Sequence, residues 1–130
     1  MKLITKEIRE RLLINGALTA RGDEHDFMPV VKFFNPCGAA TWLITEMDPE
    51  YNDILFGLCD LGFGFPELGS VSLSEIEAVQ LPLGLRIERD LHFVGRYPLS
   101  VYTEAARREG CITEDADLLA QAKRDLNKER

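Results

Sequence analysis

Apolar positions recur along this chain with two different periods, and the changes of period divide it into a helical start, a β-rich middle and a helical end. Near the start, Ile8, Leu12 and Leu13 form a stripe at helical spacing. Thr5 is placed to cap that helix, Gly16 is a predicted stop, and residues 19–26 (TARGDEHD) read as a loop. Met28 to Phe34 is then a dense apolar and β-branched run, and Asn35-Pro36-Cys37-Gly38 has turn chemistry. Ala39 to Glu46 alternates, with Trp42 and Ile44 on one face and Thr41, Leu43 and Thr45 on the other, so the two runs predict a hairpin. Residues 47–53 (MDPEYND) form an acidic connection, Asp53 to Asp60 reads as a third strand, and residues 61–66 (LGFGFP) form a glycine and aromatic loop. Glu67 to Ser72 reads as a short fourth strand. Ser72 with Glu75, or Ser74 with Glu77, has capping-box spacing and predicts a short helix over 73–79, ended by Leu81-Pro82.

Leu85 to Phe93 (LRIERDLHF) alternates and predicts a fifth strand. Ser100 is expected to cap a helix over 101–109 that stops at Gly110, with Glu104 and Arg108 paired at i,i+4. Thr113 is expected to cap a last helix over 113–128, with acidic residues in its first turn, basic residues in its last, and Leu119, Ala122 and Leu126 as a narrow apolar stripe. That stripe suits docking on the sheet first, and otherwise a partner or a homodimer through this C-terminal helix. The links between strands are too short for crossover helices, so the pairing should be mainly antiparallel. The expected fold is α+β: one domain over 1–130, with a sheet of four to five short strands, an N-terminal helix and C-terminal helices.

Composition adds a charge map. Fifteen basic and twenty-two acidic residues give −7 over 130 residues. Residues 1–22 hold five basic and two acidic residues, residues 23–103 four and thirteen, and residues 104–130 six and seven. The acidity therefore belongs to the β-rich middle, above all to Asp23, Glu24 and Asp26 and to Glu46, Asp48, Glu50 and Asp53. Such a rim keeps a small domain soluble, or it docks a partner with a basic surface. Wrapping of a nucleic-acid backbone is disfavoured, although Lys2, Lys6, Arg9 and Arg11 leave the first helix basic. No apolar run is long enough to span a bilayer, and charges break up the first sixteen residues, so a cytoplasmic chain with no membrane partner is expected. Cys37, Cys59 and Cys111 are odd in number and widely spaced, which fits buried or turn thiols rather than a disulfide or zinc framework.

Candidate chemistry is sparse. A regular strand over 85–93 would put Leu85, Ile87, Arg89, Leu91 and Phe93 on one face and Arg86, Glu88, Asp90 and His92 on the other. The second set is either a solvated strand face or an acid–base group in which Glu88, Asp90 and His92 are the catalytic candidates. Arg89 falls on the apolar side, so it must snorkel, pair with a carboxylate or mark a bulge. His25 in DEHD lacks the spacing of a metal site, and the expectation is no metal and no cofactor. The 61–66 loop lacks the third glycine, the lysine and the following helix of a phosphate cradle. Its Phe63 and Phe65 either anchor a partner or fold back as a lid on the core.

Five blocks carry a resemblance: VKFFNPCG (31–38), TWLITEMDPE (41–50), DILFGLCD (53–60), ELGSVSLSEIE (67–77) and GLRIERDLHF (84–93). In this order they resemble the small bacterial family known as domain of unknown function 2958, over about residues 1–95, with a helical C-terminal extension from about 100 to 130. The resemblance implies a small cytosolic protein of plasmids, phages and integrative elements, and so a mobile-element accessory role. It implies no reaction and no catalytic residue. The leading expectation is a non-enzymatic protein-interaction factor, with counter-defence as one use, and Glu46, Asp48, Glu50, Asp53, Phe63 and Phe65 as its contact residues. The alternative is a small acid–base or metal-dependent enzyme built on Glu88, Asp90 and His92.

Overall fold

The architecture was analysed in a computed structural model, which describes residues 2–129. Helix α1 (Lys6–Ala20) is followed by strands β1 (Val31–Phe34), β2 (Thr41–Met47), β3 (Ile54–Asp60) and β4 (Glu67–Ser72), then helix α2 (Leu73–Ala78). A single 3-10 turn at Pro82–Gly84, strand β5 (Glu88–Arg89) and helices α3 (Leu99–Glu109) and α4 (Ala116–Lys128) complete the chain. The strands form one antiparallel sheet in the order β4-β3-β2-β1-β5. The fold is α+β, as the hydrophobic pattern predicts.

The sheet is covered on both faces. Leu12 of α1 packs with Val31, Phe33, Trp42, Ile44, Met47 and Leu55, and α2 adds Leu73 and Ile76. On the opposite face Leu43 and Leu58 meet Val101, Tyr102, Ala105 and Ala106 of α3 and Leu119 and Ala122 of α4. Strand β2 is therefore buried on both sides, and the alternation read from its sequence separates two cores rather than core from solvent. A bulge at Thr45 breaks that alternation: Glu46 pairs with Phe56, and Met47 with Leu55. The extra residue brings Met47 into the α1 core, where an unbroken strand would have sent Glu46. The stripe on α4 is spent within the chain, with Leu119 and Ala122 buried and Leu126 packed beside them.

Several boundaries move for identifiable reasons. Thr5 caps α1, its hydroxyl accepting the Ile8 N–H at 3.2 Å. The helix does not stop at Gly16; it runs through to Ala20, so residues 19 and 20 are helical. A Cβ at Gly16 would lie 1.8 Å from the Met47 carbonyl oxygen, so this glycine serves a close crossing of α1 over β2. Strand β1 starts at Val31 and not at Met28, because Pro29 has no N–H to pair. Ser72 caps α2 by accepting the Glu75 N–H, as its spacing predicts.

The caps of the last two helices differ from expectation. Ser100 lies inside α3, and its N–H and hydroxyl both donate to the Asp26 carboxylate, brought from the loop after α1. Asp115, not Thr113, caps α4, accepting the Asp117 and Leu118 N–H groups at 3.0 Å each. Asp115 occupies the N-cap position itself, while the Thr113 hydroxyl, two residues earlier, accepts the Asp115 N–H.

The largest correction concerns residues 85–93. Only Glu88 and Arg89 pair, with Phe34 and Phe33. Asp90 ends the strand, because its carboxylate turns back to accept the His92 N–H at 2.8 Å. Ile87 packs in the α1 core whereas Phe93 packs with α3, so the two do not share a face. Leu85 and Leu91 are exposed. Arg89 does point to the apolar side, and its partners there are main-chain carbonyls rather than a carboxylate. Its guanidinium donates to the Lys2 and Leu3 carbonyls at 2.9 and 3.2 Å.

Candidate functional site

Two surfaces collect the catalytic candidates and the aromatic pair singled out by the sequence. The first is an open cleft of about 510 Å³ at the β1–β5 edge. Glu88, Asp90 and His92 line it together with Lys32, Phe34 and Thr41, although the regular strand that would have aligned them does not exist. Arg86 is not part of it, and donates instead to the Glu77 carbonyl at 3.1 Å. The missed residue here is Lys32. It lies on the β1 face opposite Val31 and Phe33, and its ammonium bridges Asp90 at 3.3 Å and Glu114 at 2.6 Å. Alternation within VKFF placed it opposite the core, but nothing local signals a partner 82 positions away.

These contacts set the electrostatics of the cleft. Burial works to lower the Lys32 pKa, but hydrogen bonds and charge from Glu114 and Asp90 outweigh it and hold the ammonium above its ordinary range. Burial works to raise Asp90, and the His92 N–H and Lys32 together hold its carboxyl below the usual range. Asp90 is thus an ionised, fully engaged carboxylate rather than a poised base. Among the described residues no group of three or more His, Cys, Asp or Glu side chains is placed to hold a metal ion. His25 stacks on Phe27, with ring centroids 5.4 Å apart. All three cysteines are free; Cys37 and Cys111 are exposed, while burial pushes the Cys59 thiol up to about 11.

The second surface is the β3–β4 loop. Leu61, Phe63 and Phe65 are 58, 79 and 80% exposed, so the aromatic pair does not fold back on the core. The loop is nevertheless pinned at its base. Asp60, only 2% exposed, accepts the Gly62 N–H at 2.9 Å and the Ile112 N–H at 3.0 Å, tying the loop to the turn after α3. Pro66 is buried on the other side. Gly62 and Gly64 take φ of 88 and 89°, which lets the chain reverse tightly between the two phenylalanines. Beside the loop, Phe65, Glu67, Leu68 and Arg107 line a groove of about 400 Å³.

The acidic residues lie elsewhere. Thr41 pairs with Asp60 at one end of the sheet and Met47 with Leu55 at the other, so the 47–53 connection and the 61–66 loop sit at opposite ends. Asp48 closes its own turn by accepting the Glu50 and Tyr51 N–H groups at 2.8 and 3.0 Å. Asp53 binds Ser72 and Ser74, whose hydrogen bonds hold its carboxyl below the usual range. Burial raises the Glu46 carboxyl, against the Thr19 hydroxyl that donates to it at 3.2 Å. Glu50 is exposed. In the basic start of the chain, Lys2, Lys6 and Arg9 line one shallow groove with Leu73 and Glu77.

Fold and surfaces together define a small α+β domain with an exposed apolar loop pinned at its base and an open polar cleft. Residues 3–113 match the family described as "Protein of unknown function (DUF2958)", and the chain belongs to that family. The match runs past the five sequence blocks, through α3, and ends just before α4. No curated protein and no solved structure matches the chain. No helix among the described residues is long and apolar enough to cross a membrane.

Proposed function

We propose that this chain is a non-enzymatic docking protein that presents the Leu61–Phe65 loop to a protein partner. One observation carries the reading: two phenylalanines stand about four-fifths exposed on a loop whose base is fixed by a buried carboxylate. Exposed aromatic side chains cost solvation in the free protein, and rigid ones lose little entropy on docking. The partner we infer has an apolar pocket for the loop and a net basic charge. Residues 23–103 hold thirteen acidic against four basic side chains, and that field steers a basic partner while the loop anchors it. The setting we infer from the family resemblance is the bacterial cytoplasm, in an accessory role of a mobile element such as counter-defence.

Capture from a bacterial lysate tests this. Immobilised wild-type protein should recover a discrete basic partner, less of it as salt rises, and the F63S/F65S double variant should recover none. Equal capture by both, or none by either at low and moderate salt, refutes the reading.

A second reading rests on one observation of its own, that Glu88, Asp90 and His92 line the same cleft. It requires an acid–base reaction in which His92 rather than Asp90 faces the substrate, since Asp90 is engaged by Lys32. A reaction abolished by H92A and untouched by F63S/F65S would establish it in place of the first.

A further inference from the structure

The groove of about 400 Å³ beside the aromatic loop joins an apolar wall to a single cation. Phe65 and Leu68 form the apolar wall and are 80 and 43% exposed. Leu68 opposes Leu58 in the register, and Leu58 packs in the α3 core, so Leu68 stands on the α3 face. The cation is Arg107, in the last turn of α3 and exposed. Two contacts fix that helix end against the loop. Gly110 closes α3 with φ of 77°, and a Cβ there would lie 3.7 Å from the Gly64 carbonyl oxygen. Two residues on, the Ile112 N–H donates to Asp60 at the base of the loop.

Arg107 has no counter-charge within the chain. It forms no ion pair among the described residues, whereas its neighbour Arg108 holds both Glu104 and Asp125. Glu67 also lines the groove, but it opposes Cys59, which packs against the α1 core, so its side chain belongs to the other face of the sheet. The Asp60 carboxylate is buried on the Gly62 and Ile112 N–H groups. Glu109 is two positions from Arg107 and so does not share its side of the helix.

We propose that this groove takes an acidic–apolar segment of the docking partner, a reading that rests on docking by the Leu61–Phe65 loop. A large apolar side chain of that segment lies against Phe65 and Leu68, and an Asp or Glu carboxylate meets the Arg107 guanidinium. Docking that covers Phe65 also strips water from its neighbours in the groove. A guanidinium that loses water without gaining an anion opposes binding, and its planar fork of donors matches a carboxylate. The partner is therefore net basic overall and acidic at this one contact, which fixes the direction in which it lies on the loop.

A phage-displayed library of random peptides, selected on the immobilised full chain, supplies the probe. Wild type should enrich peptides that join a large apolar residue to Asp or Glu, and F65S should enrich none of them. In a synthetic consensus peptide, changing the acid to its amide should weaken binding to wild type about five- to tenfold by fluorescence anisotropy. The same change should leave binding to R107Q unaltered, and R107E should prefer the peptide with Lys in place of the acid. Arg107 is exposed, so both variants should keep the wild-type far-UV spectrum. If R107E does not fold, R107Q and the amide peptide still close the cycle. No enrichment, a consensus without a carboxylate, additive losses in the cycle, or a consensus retained by F65S each overturns the proposal. Self-association of the chain that R107E abolishes also overturns it, because a second copy would then fill the groove. Lysate capture that needs Phe63 and Phe65 but ignores R107E removes this contact and leaves docking by the loop standing. Capture that ignores the phenylalanines refutes the docking reading itself.

Discussion

At the scale of single residues, two positions show how context reverses a sequence signal. Gly16 follows an apolar stripe and so resembles a helix stop, yet the helix continues because the glycine is needed where α1 meets Met47. What its sequence environment could not reveal is the strand 31 positions later that presses against it. G16A places a methyl group into a backbone carbonyl, so unfolding in urea should show a loss of about 3 kcal/mol or more. Glu46 is the opposite case, a surface-type residue that the Thr45 bulge and the end of α1 half bury. Its folded pKa lies above the unfolded value, so the folded state binds the proton more tightly. Stability from this group is therefore present at low pH and is lost as pH rises through the folded pKa. E46Q keeps an acceptor for Thr19 without the charge, so it should raise Tm by about 1–2 °C at pH 7. Thermal melts of both proteins should converge below about pH 4, near the unfolded carboxyl range; a gap that persists there contradicts the account.

At the scale of elements, strand pairs and helix number were legible because each rests on local periodicity. The hairpins built on 28–60 and the Ser72 cap of α2 needed only turn chemistry and alternation. The 85–93 segment was misread because its alternation is real but its main chain turns at Asp90, a choice made by one side chain. The α3 cap was also beyond local reading, since its acceptor, Asp26, lies 74 positions from Ser100. Among the candidate site residues, Glu88, Asp90 and His92 do meet, but on the walls of a cleft that Lys32 organises from another strand. The pinning of the 61–66 loop belongs to this scale as well. D60N presents an amide donor to one of the two N–H groups that the carboxylate now satisfies. It should cost about 1–3 kcal/mol. Hydrogen exchange at Gly62 and Ile112 should accelerate more than exchange in β2, and uniform acceleration would show that Asp60 serves global stability rather than the loop.

For the molecule as a whole, the charge map read from the sequence gains a direction. The acidic connection at 47–53 and the aromatic loop at 61–66 lie at opposite ends of the sheet, so they cannot form one compact contact patch. In the proposed reading, steering and anchoring are separate tasks at separate ends of this body. Asp48 and Asp53 close local structure while keeping their charge, and the loop offers apolar area without a nearby acidic cluster. F63S/F65S should therefore leave stability within about 0.5 kcal/mol of wild type in a denaturant titration, since neither ring contributes to the core.

The central claim is that partners dock at the Leu61–Phe65 end of the sheet, and site-specific photo-cross-linking tests it most directly. A photoreactive phenylalanine analogue at position 63, in the full chain exposed to a bacterial lysate, should yield one discrete adduct. The same analogue at Tyr51, also exposed but at the acidic end, should yield none. Equal adducts from both positions, or an adduct from position 51 alone, would contradict the account.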